Sequence, residues 1–377
     1  MNFERVANIE KSLIREMFEK ANEHSVNLGL GMPFLKTTDL VKMQAIEAIR
    51  NDQTFYTPNQ GLEVLREEVA KKHSKETGLK ISGENVLITN GATQAIFTLM
   101  FSLLNPGDEV LIPDPGYPLY EAIVKMLRCK VKRYTLFWGK DFDIDVDEIS
   151  RKISDRTALI VLNSPNNPTG TVFKEETLKH FAFLLESRNI SVLSDEIYKG
   201  LSYEGVALSI SSFLPLEKVY VISGVSKEYS MSGWRIGWIV SSRQNISQVL
   251  KAHMYTVSCI SGINQIAAAA ALKLGDHGVK NAMRFNRDLA LRELGKVPLI
   301  KYKKPVGGIY IFVNVSAYGD GKEIADALLK RENVITIPGI AFGEQGRNFI
   351  RISFGMDPET LKKGLNSIRR FFSYVEV

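Results

Sequence analysis

From Val86 onward short β-rich runs, each bounded by Gly, Pro, Asn or Asp, recur between helical segments, without any internal sequence repeat. The runs are NVLITNG, DEVLIPDPGYP, CKVKRYTL, RTALIVLNSPNNPTG, NISVLSDE, KVYVISGVSK and GWRIGWIVSS. Several, such as ALIVL, are apolar throughout rather than alternating. Alternation marks a strand with one wet face, whereas a continuous apolar run marks a strand covered on both faces, as in an α/β sheet with helices on either side. Such a sheet leaves only its strand ends open to a ligand.

The flanking regions read differently. Residues 9–23 and 61–72 carry apolar positions at helical spacing, for example Leu13, Ile14, Met17, Phe18 and Ala21. After about Gly275, charged helices (KNAMRFNRDLALRELGK and ETLKKGLNSIRRFF) flank the short strands GGIYIFVNV and NFIRISFG. This predicts a large unit over 46–275 and a smaller α+β unit built from both chain ends, 1–45 plus 276–377.

Composition excludes several classes. With 45% hydrophobic and 24% charged residues the chain is not disordered. No apolar run approaches the ~20 residues of a membrane span, and the Ala-rich stretch 266–272 reads as a buried helix. The start, MNFERVANIE, lacks the layout of a signal peptide. Cys129 and Cys259, the 2 cysteines, supply neither a disulfide framework nor a zinc site. The cytoplasm is the expected compartment. A net charge of +6 without a basic block gives no argument for nucleic acid.

In an open α/β sheet ligands bind beyond the carboxyl ends of the strands. The residues just after the runs are Ala92 and Thr93, Tyr117, Asn167, Asp195 with Tyr198, and Ser226–Lys227 followed by Arg235. Each has a plain structural reading: Lys227 as a surface lysine, Thr93 or Asn90 as a helix cap, Asp195 as half of a salt bridge, Asn167 as turn chemistry, Tyr117 as core packing. Each also has a chemical one. A lysine near a fixed cation and partly desolvated is a nucleophile able to form a Schiff base. Arginine, serine and a helix N-terminus hold a phosphate monoester. A buried carboxylate suits a heterocyclic N–H⁺, Asn167 and Tyr198 can donate to a phenolate, and Tyr117 can stack on a flat ring. The one ligand with a phosphate, an aromatic cation, an acidic phenol and an aldehyde is pyridoxal 5′-phosphate.

The segment SGVSKEYSMSGWRIGW resembles the cofactor-attachment region of class I/II pyridoxal-phosphate-dependent aminotransferases of fold type I. YTPNQGLEVLREEVA, TNGATQAI, DPGYPLY, NSPNNPTG, LSDEIYKGLSY and NFIRISFG are similar to the same family in the same order. The resemblance implies a mainly parallel seven-stranded sheet flanked by helices, with a smaller domain from both chain ends. It implies that Lys227 binds the cofactor aldehyde and moves the substrate α-proton, and that Asp195 pairs with the ring nitrogen. Asn167 and Tyr198 would bind the phenolate, Tyr117 would stack on the ring, and Ala92, Thr93, Ser226 and Arg235 would hold the phosphate. Arg351 matches the arginine that binds the substrate α-carboxylate, and Gly31 the glycine that leaves room for substrate. Tyr56 matches a tyrosine reaching the phosphate of a neighbouring subunit, which implies a homodimer with a shared site. The implied activity is ping-pong transfer of an amino group from an L-amino acid to a 2-oxo acid, through pyridoxal and pyridoxamine phosphate.

Departures from the family pattern bear on the substrate. Where many relatives carry G-E-P-D-F, this chain reads Gly31-Met32-Pro33-Phe34. Thr93 stands where some aspartate enzymes carry a lysine, and YTVSCISGINQ has no arginine. An uncharged donor side chain, aromatic or aliphatic, is therefore expected. The segment SLIREMFEKANE, with Arg15, resembles the start of aromatic and broad-specificity members. An aspartate aminotransferase and a C–S β-lyase of the same fold are the enzymatic alternatives. A cofactor- or amino-acid-sensing regulator is disfavoured, because only about 26 residues precede NLGLG, too few for a DNA-binding domain. No His-Glu-x-x-His or Gly-x-Ser-x-Gly motif supports metal or serine hydrolysis, so no metal is expected.

Overall fold

The computed structural model describes residues 3–7 and 9–374. Each of the seven runs becomes one strand: β2 (Val86–Thr89), β3 (Glu109–Asp114), β4 (Lys130–Thr135), β5 (Thr157–Asn163), β6 (Ser191–Asp195), β7 (Val219–Gly224) and β8 (Gly237–Val240). They form one seven-stranded sheet of order β2-β8-β7-β6-β5-β3-β4, in which only β8 runs antiparallel to its neighbours. Between them lie α4 (Gly91–Leu103), α5 (Leu119–Met126), α6 (Val146–Lys152) and α7 (Glu175–Leu185), with α8 (Arg243–Thr256) and α9 (Gly262–Leu274) following β8.

The continuous apolar runs have the predicted cause. Alternate residues of one strand enter different cores: Val110, Leu159, Val161 and Ile239 pack with Ile96 and Leu99 of α4 and Val249 of α8. Leu111, Ile160, Leu162 and Val240 pack on the other face with Leu178 and Phe181 of α7 and Ala268 of α9. Burial of each such side chain stabilises the fold by roughly 1.5–3 kcal/mol, and both faces of the sheet contribute. The Ala-rich stretch is the buried face of α9.

The N-terminal segment supplies α1 (Leu13–Glu19), β1 (Val26–Asn27), α2 (Asp39–Arg50) and α3 (Glu63–Thr77). The first helix is shorter than the predicted 9–23. Ser12 makes no side-chain cap at its start, and past its end the Asn22 side chain accepts from the His24 N–H at 2.9 Å, a turn that competes with helix. Before α3, Gly61 (φ +105°) passes so close to β2 that a Cβ would lie 2.4 Å from Ile88.

The C-terminal region contains α10 (Val279–Leu294), β9 (Lys301–Tyr302), β10 (Tyr310–Asn314), α11 (Gly321–Glu332), β11 (Val334–Ile335), β12 (Ile337–Pro338), β13 (Phe349–Ser353) and α12 (Pro358–Tyr374). Strands β12-β13-β10-β9 form an antiparallel sheet, and β1 pairs in parallel with β11. The segment around β1 is thus tied to the C-terminal region, whereas α2, unbroken across positions 45 and 46, packs on α9. Among the described residues no helix is long and apolar enough to cross a membrane.

Candidate active site

Every predicted site residue except Tyr56 lines a single cleft of about 870 Å³. One wall is the carboxyl edge of the large sheet. Strand β6 ends on Asp195, β7 leads into Ser226 and Lys227, β5 ends near Asn167, and β2 turns at Gly91 into α4 with Ala92 and Thr93. The facing wall carries Gly29–Gly31, Tyr310 of β10, Phe342 and Arg351 of β13. Tyr56 lies outside the cleft and is 92% exposed.

Lys227 reaches across the cleft and donates from Nζ to the Gly31 carbonyl at 2.6 Å. Loss of water around its ammonium pulls its pKa below the usual lysine value. Tyr310 opposes that shift, and Arg235 and Arg351 add to it. Asp195 is only 4% exposed; its Oδ2 accepts from the Tyr120 hydroxyl at 2.7 Å and its Oδ1 from the Ile197 N–H at 3.2 Å. Burial pushes its pKa up to about 6, although both hydrogen bonds favour the charged form.

Asn167 is anchored by its N–H, which donates to the Asn163 side chain at 2.8 Å. Its Oδ1 accepts from Arg351 Nη1 at 2.9 Å, while Arg351 Nη2 donates to the Gly29 carbonyl at 2.7 Å. The guanidinium is 3% exposed, lies 4.1 Å from the Tyr310 ring centre and 4.8 Å from that of Phe342, and leaves its buried Nε without a partner. The Tyr198 and Tyr310 hydroxyls are 2.9 Å apart with rings edge to face, and burial, then Tyr310, raises the Tyr198 pKa. Tyr117 meets Tyr120 edge-on at 5.9 Å.

Two glycines shape the end of the cleft near α4. A Cβ on Gly91 would lie 2.5 Å from Arg235 Nη2, and one on Gly237 would lie 2.6 Å from the Ala92 nitrogen. They bring the Arg235 guanidinium onto the first turn of a 13-residue helix, whose N-terminus already favours an anion. Arg235 itself adopts φ 55° and donates to the Ser232 carbonyl at 2.9 Å.

Lys227, Asp195, Arg235 and Arg351 therefore face one space, and among the described residues none is ion-paired with another charged side chain. Charges kept apart around one cleft await a ligand that carries their complements. The family described as aminotransferase class I and II matches residues 23–368. The chain belongs to the class I and II aminotransferases.

A relative named probable aspartate aminotransferase, from Methanocaldococcus jannaschii, is 36% identical over 377 residues, covering 98% of this chain and 99% of that protein. Two solved structures share the fold. The aspartate aminotransferase of Thermotoga maritima has a TM-score of 0.93 at 31% identity, over 98% of this chain and 99% of that one. The alanine aminotransferase of Pyrococcus furiosus has a TM-score of 0.92 at 30% identity, over 99% and 100%. The aminotransferase thus has the fold type I architecture and is a pyridoxal 5′-phosphate enzyme.

The cleft fits that cofactor. The unpaired buried carboxylate of Asp195 suits a ring N–H⁺, and the cradle of Arg235, Ser226 and the α4 N-terminus suits a phosphate. Among the described residues, no group of three or more His, Cys, Asp or Glu side chains could hold a metal ion.

Sequence reasoning missed three contributors to the aminotransferase site: Tyr120, Tyr310 and Phe342. Tyr120 could have been found, since it stands three residues after Tyr117 in DPGYPLY, in the first turn of the helix that follows that strand end. Tyr310 needed the register: it pairs with Ser353, and Phe312 pairs with Arg351, which puts Tyr310 and Arg351 on one face of the small sheet.

Proposed function

We propose that this enzyme transfers the amino group of an L-amino acid with an uncharged side chain to a 2-oxo acid by a ping-pong reaction. The observation that carries the reading is the set of four mutually unpaired charges, Lys227, Asp195, Arg235 and Arg351, around one cleft. Pyridoxal 5′-phosphate supplies, when bound, an aldehyde for the amino group and a ring that accepts the electron pair of the broken Cα–H bond.

The residues of the chain do the rest. Arg235, Ser226, Ala92 and Thr93 bind the phosphate; Asp195 holds the proton on the ring nitrogen; Asn167 and Tyr198 orient the phenolate; Tyr117 covers the ring face. Arg351 offers a planar pair of donors to the substrate α-carboxylate, and its orphaned Nε leaves one donor spare. Loss of water around Lys227 depresses its pKa and favours the neutral amine, the form that can take the α-proton and return it on the cofactor side. Gly31 keeps the floor open, because a Cβ there would lie 1.9 Å from the Tyr310 hydroxyl.

The uncharged donor is supported by Ile14, Phe18, Ile340 and Phe342 in the cleft lining, and by Thr93 at the mouth of α4. A second reading, a dicarboxylic donor such as aspartate, is favoured by Arg15, which also lines the cleft and has no ion-pair partner among the described residues. Two of the relatives above are named for aspartate and one for alanine.

Homodimerisation belongs to the same reading. Leu40, Met43, Ile46 and Ile49 form an exposed apolar stripe on α2, near exposed Phe55 and Tyr56 in sequence, as a subunit contact requires. The expected division into 46–275 and 1–45 plus 276–377 enters this proposal with one boundary moved: α2 packs on α9 as a whole, so the larger unit starts at its first residue, Asp39. Two free cysteines, Cys129 and Cys259, suit a cytoplasmic location.

A donor panel tests the reading. With one amino acid and no acceptor, each active site should release one equivalent of 2-oxo acid and stop. Alanine, phenylalanine, tyrosine and methionine should outperform aspartate. A strong preference for aspartate would replace the first reading by the second, and release of ammonia with pyruvate from a C–S substrate would replace both by a β-lyase.

A further inference from the structure

Three of the site residues share a pattern. The residue after Asp195 is Glu196, the residue after Tyr198 is Lys199, and the residue after Lys227 is Glu228. None of these three lines the cleft. They meet instead on α3. Glu228 pairs with Lys72 at 2.9 Å, Lys72 with Glu76 at 2.8 Å, Glu76 with Lys199 at 2.9 Å, and Lys199 with Glu196 at 3.1 Å.

From Glu196 a line of hydroxyls runs back to α3. Glu196 accepts from Ser194 at 2.9 Å and from Ser209; Ser209 contacts Ser211 at 2.8 Å, and Ser211 contacts His73 Nε2 at 3.0 Å. His73 stands beside Lys72 on α3, and burial lowers its pKa, which favours the neutral ring. Gly200 lets Glu228 lie against the turn after Tyr198, since a Cβ there would be 2.1 Å from the Glu228 carboxyl carbon. Burial opposes the charge on Lys72 and Lys199, but the carboxylates outweigh it and both pKa values rise.

Such a buried ion network is a poor way to gain stability, because apolar side chains of equal volume do as well or better. What it provides is registry. It holds the loops after β6 and β7 against one helix, and with them the residues that face the cofactor. Three carboxylates and two ammonium groups also leave one negative charge behind the cleft.

We propose that the ion-pair chain Glu228–Lys72–Glu76–Lys199–Glu196 positions Asp195, Tyr198 and Lys227 and sets the electrostatic field at the lysine that carries the cofactor. The proposal rests on the assignment of Lys227 made above. The groups facing Lys227 directly are Tyr198, Tyr310, Arg235, Arg351 and Asp195. Those facing Asp195 are Tyr120, Lys227 and, from the network, Glu196. Tyr229 lies against Lys72 and His277.

The test is a pH titration of the visible absorbance of the holoenzyme, which reports the proton on the lysine–cofactor link. Lys199→Met makes the network more negative and favours the protonated form, so the midpoint should rise. Glu76→Gln removes a negative charge, so it should fall. Each shift should be about half a pH unit at the effective dielectric of a protein interior. Lys199→Arg should restore the parent midpoint. Each of the two charge-removing variants should lose roughly tenfold in kcat with KM for the donor changed less than about twofold, as for misplacement of reacting groups.

If either variant fails to fold, Lys72→Met and Glu228→Gln at the other end of the chain of charges should give the same opposite pair of shifts. Unchanged midpoints, or shifts of one sign in both variants, would overturn the proposal and leave the network a structural feature. Absence of any titrating band in the parent holoenzyme would overturn the Lys227 assignment, and the proposal with it.

Discussion

The two walls of the cleft are built on different principles. The strand-end wall takes each residue from the carboxyl edge of the seven-stranded sheet, where the register of buried strands fixes the backbone. The facing wall comes from the small antiparallel sheet and the N-terminal segment. It meets the first wall through side-chain contacts such as Lys227 to the Gly31 carbonyl at 2.6 Å, Arg351 to Asn167 at 2.9 Å, and the Tyr198 hydroxyl to that of Tyr310 at 2.9 Å. The first wall holds the groups that would grip cofactor; the second holds those that would meet substrate. The difference predicts that damage to the strand-end wall abolishes chemistry, whereas damage to the facing wall degrades substrate use.

The largest effect should come from Lys227→Ala. Loss of both covalent attachment and proton transfer should lower turnover by at least ~10⁴-fold, with the circular dichroism of the parent retained. Measurable turnover close to the parent's would break the comparison at once.

Asp195→Asn should cost ~10²–10³-fold in kcat, the scale of a removed electrostatic partner in a closed site. It should also move the stability of the cofactor-free protein in a set direction. The folded-state pKa of about 6 lies above the ordinary carboxyl value, so the folded state favours the protonated acid. The associated stabilisation is present below about pH 4 and is lost as pH rises through 6. The asparagine variant should therefore gain on the parent by roughly 3 kcal/mol between pH 4 and pH 7, read by denaturant unfolding. A difference independent of pH would remove the buried, unpaired carboxylate from the description.

On the facing wall, Arg351→Lys should lower kcat/KM by about 10²-fold, mostly through KM, because an ammonium cannot offer the planar pair of donors. An equal loss in kcat alone would place Arg351 with the first wall.

Gly31→Ala should cost about tenfold in kcat/KM, since the new methyl displaces the Tyr310 hydroxyl, which lies only 1.9 Å from where the Cβ must go. Adding Tyr310→Phe should recover part of that loss, a coupling read from a double-mutant cycle. Strict additivity would mean that the glycine matters for some other reason.

The two walls also differ in how far they could be read in advance. The strand-end wall was legible because apolar runs and their closing Gly, Asn or Asp mark strand ends locally. Asp195 and Lys227 could be placed without knowing what lay opposite. The facing wall depends on contacts between distant segments. That Tyr310 shares a face with Arg351 follows from the pairing of β10 with β13, and that Gly31 is floored by Tyr310 follows from a loop crossing. The resemblance supplied Gly31 and Arg351, yet neither it nor the periodicity supplied Tyr310. The helix predicted over 9–23 overran because periodicity does not register the Asn22 turn that stops it. The network on α3 was invisible for the same reason: nothing local links Glu196, Lys199 and Glu228 to Lys72 and Glu76, which only the fold brings beside them.

The central claim is that Lys227 carries the cofactor, and chemical trapping tests it most directly. The purified protein is loaded with pyridoxal 5′-phosphate, reduced with borohydride, digested and mapped by mass spectrometry. The added mass should sit on Lys227, at one per subunit, in the peptide containing SGVSK. Stoichiometric labelling of any other lysine, or none at all, would contradict the assignment.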